Sequence, residues 1–87
     1  MNLKQLIIAF LSPRWPAAYT EAAVAQRLNA SQMLDKRCTA DDVADALRAL
    51  HRMKTVDLHI DPMDGSAVWQ ATEEGIKKWI LEGRISV

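Results

Sequence analysis

Between Cys38 and Gly75 the chain runs, without interruption, through a capped amphipathic segment, an alternating segment, a turn, a second alternating segment and another helix start. Few folds accommodate that order in so short a span. Thr39 followed three residues later by Asp42 is a capping-box pattern, and Cys38 is placed to staple onto Val43 across the first turn. Val43, Ala46, Leu47, Leu50 and the aliphatic stem of Lys54 then recur at helical spacing on one face, with Asp41, Asp45, Arg48 and Arg52 on the opposite one. Val56, Leu58 and Ile60 alternate with Asp57 and His59, the period of a half-buried strand; residues 61–66 hold Pro62 and Gly65 and supply turn chemistry; Ala67, Trp69 and Ala71 return. Thr72 caps a last helix in which Glu73 and Glu74 sit at the positive end of the dipole and Ile76, Trp79 and Ile80 form the inner face.

The first half reads as two further helices. Asn2 caps the first, with Gln5 three residues on, and Leu3, Leu6, Ile7, Phe10 and Leu11 keep helical spacing until Ser12-Pro13 stops them. Pro13 and Pro16 each bias the preceding residue away from helix, so residues 12–16 are expected to be a stiff extended loop. Thr20 caps the second helix, Tyr19 can staple onto Val24, and Val24 with Leu28 forms a narrow stripe flanked by Ala23 and Ala25. Gln26 points away, Arg27 lies at the edge, and the helix is expected to end near Asn29. Residues 30–37 are longer than a minimal three- or four-residue helix-to-helix turn and have room for an extra helical turn carrying Met33 and Leu34 into the core.

With 87 residues the expectation is one domain, 1–87, hiding roughly 60 to 65 per cent of the surface it exposes when unfolded. Eleven basic residues balance eleven acidic ones, so attraction to nucleic acid or to an anionic membrane needs a segregated patch rather than net charge. The single cysteine, Cys38, excludes an internal disulfide framework and fits a reducing compartment. The apolar N-terminal run is too short to span a bilayer and lacks a small-residue cleavage site, so the chain is read as cytoplasmic with no membrane partner.

The run Ala46-Leu47-Arg48-Ala49-Leu50 leading into Val56, and the hairpin ending Trp69-Gln70-Ala71-Thr72-Glu73-Glu74-Gly75, resembles the recognition helix, wing and closing helix of winged helix-turn-helix regulators. The likeness covers about 60 residues from Thr20 onward and points to a superfamily, with no member singled out. It implies a mostly helical α+β fold with a three-helix core, a β-hairpin wing, a C-terminal helix and a short first strand at roughly residues 17–19. It also implies a small DNA-binding protein, a transcriptional regulator, whose third helix enters the major groove while the wing meets the backbone. The candidate contacts to double-stranded DNA are then Lys36 and Arg37 before that helix, Thr39, Asp41, Asp45, Arg48 and Arg52 on it, and His59 on the wing.

The sign of the charge cuts against part of that reading. Affinity for DNA comes largely from phosphate neutralisation by Lys and Arg, and the wing carries Asp57, Asp61 and Asp64 with no Lys or Arg. Each aspartate about 8 Å from a phosphate in water costs on the order of half a kcal/mol before screening, a handicap that Arg48 and Arg52 can outweigh. The alternative is a winged-helix interaction module that uses its acidic helix and wing face to bind a basic protein partner. Asp45 and Arg48 also have the spacing of a simple surface pair, and Arg52 that of a solvated side chain. Trp15 is either an exposed anchor for a partner or a ring folded back over a small core, the commoner arrangement. Leu81, Ile85 and Val87 cannot all join the inner face of the last helix, and are read as a homodimer contact or as a drape over the domain edge.

For catalysis the inventory is poor. Cys38, His51 and His59 lack metal-ligand spacing, no glycine-rich loop can cradle phosphate, and Asp41-Asp42 and Glu73-Glu74 stand where helix dipoles explain them. Neither an enzyme nor a cofactor site is expected.

Overall fold

The computed structural model describes residues 2–31 and 37–84. Four helices and one hairpin follow in order: α1 Leu3–Leu11, α2 Glu21–Ser31, α3 Ala40–Arg52, β1 Val56–Ile60, β2 Ala67–Ala71 and α4 Glu73–Leu81. Local chemistry sets the helix starts. Asn2 and Gln5 form a reciprocal capping box on α1, Thr39 and Asp42 form another on α3, the Thr20 hydroxyl accepts from the Ala23 N–H at 3.2 Å, and the Thr72 hydroxyl accepts from the Gly75 N–H. Each pairing satisfies backbone donors that the first turn leaves without a partner.

Both long C-termini close in the same way. After α3, Lys54 takes a left-handed φ of 61°, its N–H donates to the His51 carbonyl and the Thr55 N–H donates to Leu50. After α4, Gly83 has φ of 73°, its N–H donates to Ile80 and that of Arg84 donates to Trp79. These are paired Schellman closures. Lys54 therefore leaves the helix instead of extending its core face; the side chain is exposed, and the expectation that its stem covers core is corrected.

One hydrophobic cluster draws on every element. Leu6, Ile7, Ile8 and Leu11 of α1, Val24, Ala25 and Leu28 of α2, Val43, Ala46, Leu47 and Leu50 of α3, Val56, Trp69 and Ala71 of the hairpin and Trp79 of α4 are all buried in it. A fully buried Leu or Ile side chain contributes about 1.5–3 kcal/mol relative to an exposed one. The α3 residues anticipated as its inner face are the ones buried, with Ala44 beside them. Trp69 lies at the join between halves of the chain: its ring N–H donates to the Glu21 carboxylate at 3.3 Å, and the His51 ring meets it edge-on with centroids 6.0 Å apart.

Several local expectations are corrected. Residues 12–16 are no extended loop: Ser12–Arg14 form a 3-10 turn continuing α1, since a proline near the start of a turn gives up only a donor that has no partner there. The strand expected at residues 17–19 is reduced to one bridge, Tyr19 with Trp69. Helix α2 runs to Ser31, beyond Asn29. Trp15 is exposed and not folded over the core. The extra turn anticipated around Met33 and Leu34 lies outside the described residues.

The hairpin pairs the two anticipated segments antiparallel, Val56 opposite Ala71 through Ile60 opposite Ala67. It is half-buried only at its base. Val56 is fully covered, but Leu58 is 38% and Ile60 61% exposed, because alternation sets the face a residue occupies and not how far the body beneath extends. The strand expectation is thus right in extent and pairing and wrong in burial.

Two substitutions test these closures. A Cβ on Gly75 would stand 2.6 Å from the Thr72 hydroxyl and 2.7 Å from the Thr55 carbonyl oxygen, so Gly75→Ala is expected to destabilise by about 1–3 kcal/mol in denaturant melts. Lys54→Gly is expected to stabilise by about 1 kcal/mol, since it removes a side chain from a left-handed position. A lowered melting temperature for Lys54→Gly would contradict the closure described.

Candidate nucleic-acid interface

Helix α3 presents a polar ridge because its other side is consumed by the core. Asp41, Asp45, Arg48 and Arg52 are all exposed, opposite the buried Val43, Leu47 and Leu50. Thr39, at the head of the ridge, is exposed with its hydroxyl already accepting from the Asp42 N–H at 3.1 Å. Arg37 is exposed just ahead of the helix. Lys36 lies outside the described residues, as do Ile85 and Val87.

The cations on this ridge are unequal. Arg48 is ion-paired and hydrogen-bonded to Asp45 one turn earlier, and both side chains are largely solvated. That pair offsets half of the charge the helix could offer a polyanion. Arg52, a turn further on, has no ion pair among the described residues and stands where the negative end of the helix dipole favours a cation. The most accessible positive charge therefore sits at the C-terminal part of α3, and Asp41 and Asp42 occupy its N-terminal turn.

The wing carries the opposite sign. His59 and Asp57 are exposed on its outer face. In the turn, the Asp61 carboxylate accepts from the Met63 N–H at 2.8 Å, and the Asp64 carboxylate accepts from the Ser66 hydroxyl at 2.6 Å and its N–H at 2.8 Å. The hydroxyl and then the N–H of Ser66 hold Asp64 below the ordinary carboxylate range, so the wing tip keeps its negative charge. The turn is thus built from the acids that make the wing unsuited to phosphate.

One positioning device has no signature in the sequence. The Asn29 amide donates to the Cys38 carbonyl at 2.9 Å and accepts from the Cys38 N–H at 2.8 Å, clamping the end of α2 to the entrance of α3. Asn in a helix's last turn was the only signal available, and a contact nine residues away has no one-dimensional signature. Cys38 packs against the core with its thiol directed at the Ala25 carbonyl, 3.9 Å away. Burial pushes that thiol above its ordinary range and Asp42 adds to the effect; the residue's own backbone hydrogen bond and Arg37 oppose it.

Among the described residues no cluster of His, Cys, Asp and Glu is arranged to hold a metal ion, and no helix is long and apolar enough to cross a membrane. Leu81 is 87% exposed at the end of α4.

Helices α2 and α3 packed against each other, followed by a two-stranded wing and a closing helix, define a winged helix-turn-helix fold, and solved structures agree. No protein-family model matches the sequence, and no curated protein matches it closely enough to count as a relative. The structure is similar to an S. aureus MepR variant at TM-score 0.72 and 22% identity, over 100% of this chain and 57% of that one. It is similar to Lactococcus lactis ZitR at 0.68 and 18%, over 95% and 51%, and to the MepR–DNA complex at 0.67 and 20%, over 99% and 65%. The chain thus spans about half to two thirds of the length of these proteins, and what is shared at such identities is the fold.

The Cys38 environment gives a direct test. Folding favours the thiol form, a stabilisation present below the ordinary thiol range and lost as pH rises through the raised folded value. Alkylation of Cys38 at pH 7 to 8 is expected to be at least about tenfold slower in the folded protein than in urea. Equal rates would place the sulfur in solvent.

Proposed function

We propose that this chain is a small winged-helix DNA-binding protein acting as a transcriptional regulator, a single domain over 1–87, with α3 in the major groove. The observation that carries the reading is the placement of α3: its polar ridge is free along its length, on a scaffold similar to one solved in complex with DNA, that of S. aureus MepR. Arg52 is the principal phosphate contact, Arg48 contributes once released from Asp45, Arg37 and Lys36 reach the backbone at the helix entrance, and Thr39, Asp41 and Asp45 lie where base edges are read. His59 is the wing residue that meets a phosphate. A homodimer through Leu81, Ile85 and Val87 supplies the second half-site contact, with Trp15 an accessory partner contact. The reading makes the protein a binder and not a catalyst, found in the cytoplasm with its DNA.

With few cations the footprint is small, and the salt dependence measures it. Fluorescence anisotropy with a labelled duplex is expected to give log K falling linearly with log salt, and Arg52→Ala to flatten that slope by about one unit. Asp45→Asn is expected to raise affinity several-fold, by freeing Arg48 and removing a negative charge beside the groove. No duplex binding at low salt by the folded protein ends the proposal.

A further inference from the structure

We propose that the outer edge of the wing is a pairing surface for a second copy of this chain, through antiparallel association of β1 with β1. The sheet has two strands, β1 and β2. The far side of β2 is already engaged, since Trp69 exchanges hydrogen bonds with Tyr19 at 2.7 and 2.9 Å. The far side of β1 pairs with no strand among the described residues.

Hydrogen bonds at the two ends of the hairpin fix which groups face that open side. Thr55 accepts from the Thr72 N–H at 3.0 Å, and the Asp61 N–H donates to Ser66 at 2.8 Å. The odd-numbered residues of β1 are therefore turned toward β2, and Leu58 and Ile60 direct their N–H and C=O groups outward. Their side chains share the face of Trp69 and Ala67 and stand 38% and 61% exposed, with Met63 beyond them 91% exposed. An open strand edge beside an exposed apolar strip is the feature that natural sheets usually cover.

The pattern along the edge selects the occupant. A two-fold contact requires that residue i meet j while j meets i. With the axis at Ile60, Ile60 faces Ile60 of the second copy in a hydrogen-bonded pair, and His59 faces Asp61 of the second copy, twice, in the closer non-hydrogen-bonded type of pair. Leu58 then lies opposite Pro62 of the second copy, which is in the turn and has no N–H to donate, so the ladder ends there. An axis at Leu58 would also match acid with imidazole, Asp57 with His59. It requires the second copy's backbone to lie against Val56, which is wholly buried, so exposure decides for Ile60.

Two wings also bring six aspartates together. Their repulsion is screened by salt, so this association strengthens as salt rises, opposite in sign to DNA binding; because His59 serves both contacts, the two are told apart by that sign and compete for the wing. The contact is likewise distinct from the one proposed at Leu81.

The experiment is sedimentation velocity of the full chain without DNA, with disulfide trapping. Wild type is expected to show a concentration-dependent dimer whose association constant rises about threefold or more between 50 and 500 mM salt. Ile60→Lys, at an exposed position and checked for fold by circular dichroism, is expected to weaken it at least about tenfold, and Leu81→Glu to leave the wing contact in place. In a Cys38→Ser background, Ile60→Cys is expected to form an intermolecular disulfide faster than Leu58→Cys, because paired Cα atoms about 5.5 Å apart can be bridged. Faster trapping at Leu58, unchanged association in Ile60→Lys, or a monomer at all salt concentrations would overturn the proposal; the last would make the aspartates guards of the edge.

Discussion

The structure depends on α3 being two-sided. Its apolar stripe is wedged against α1 and α2, and reaches the base of β1, so the helix is gripped along its whole length from one side. The entropy lost in fixing its side chains is offset only by that burial, and nothing equivalent exists on the other side. The polar ridge is therefore presented as a consequence of packing, held in place by residues that never touch solvent. Its entrance is set by Thr39 and the Asn29 clamp, and its exit by the left-handed Lys54.

Most of this was legible in the residues wherever the cause is local. The caps at Asn2, Thr39 and Thr72 each depend on a partner three residues away, and the wing's two strands follow from a period of two on either side of a turn-rich segment. What was not legible depends on distance. The Asn29–Cys38 clamp and the Glu21–Trp69 hydrogen bond join residues that no periodicity relates. Alternation puts Leu58 and Ile60 on the face of Val56, but the core runs out beneath them, a matter of how large the body is. Lys54 departs from its expected face because helical spacing continues arithmetically past the residue where the backbone changes hand.

The candidate site was legible as a set of exposed positions and not as a field. Spacing placed Asp41, Asp45, Arg48 and Arg52 on one ridge, and they share it. The spacing also admitted the Asp45–Arg48 ion pair, and only coordinates establish that it forms. Pairing of exposed charges contributes little to stability, yet it changes what a polyanion would meet, concentrating the accessible positive charge at Arg52. With equal numbers of acids and bases in the chain, arrangement alone decides whether any face is attractive.

The hydroxyl of Thr72 accepts from Gly75 while lying within hydrogen-bonding distance of the carbonyls of both Lys54 and Thr55, and Gly75 is packed directly against Thr55. One side chain thus rivets the head of α4 to the segment leaving α3. The head of the last helix and the heel of the ridge thereby share one anchor, so a displacement of either strains the same hydrogen bonds.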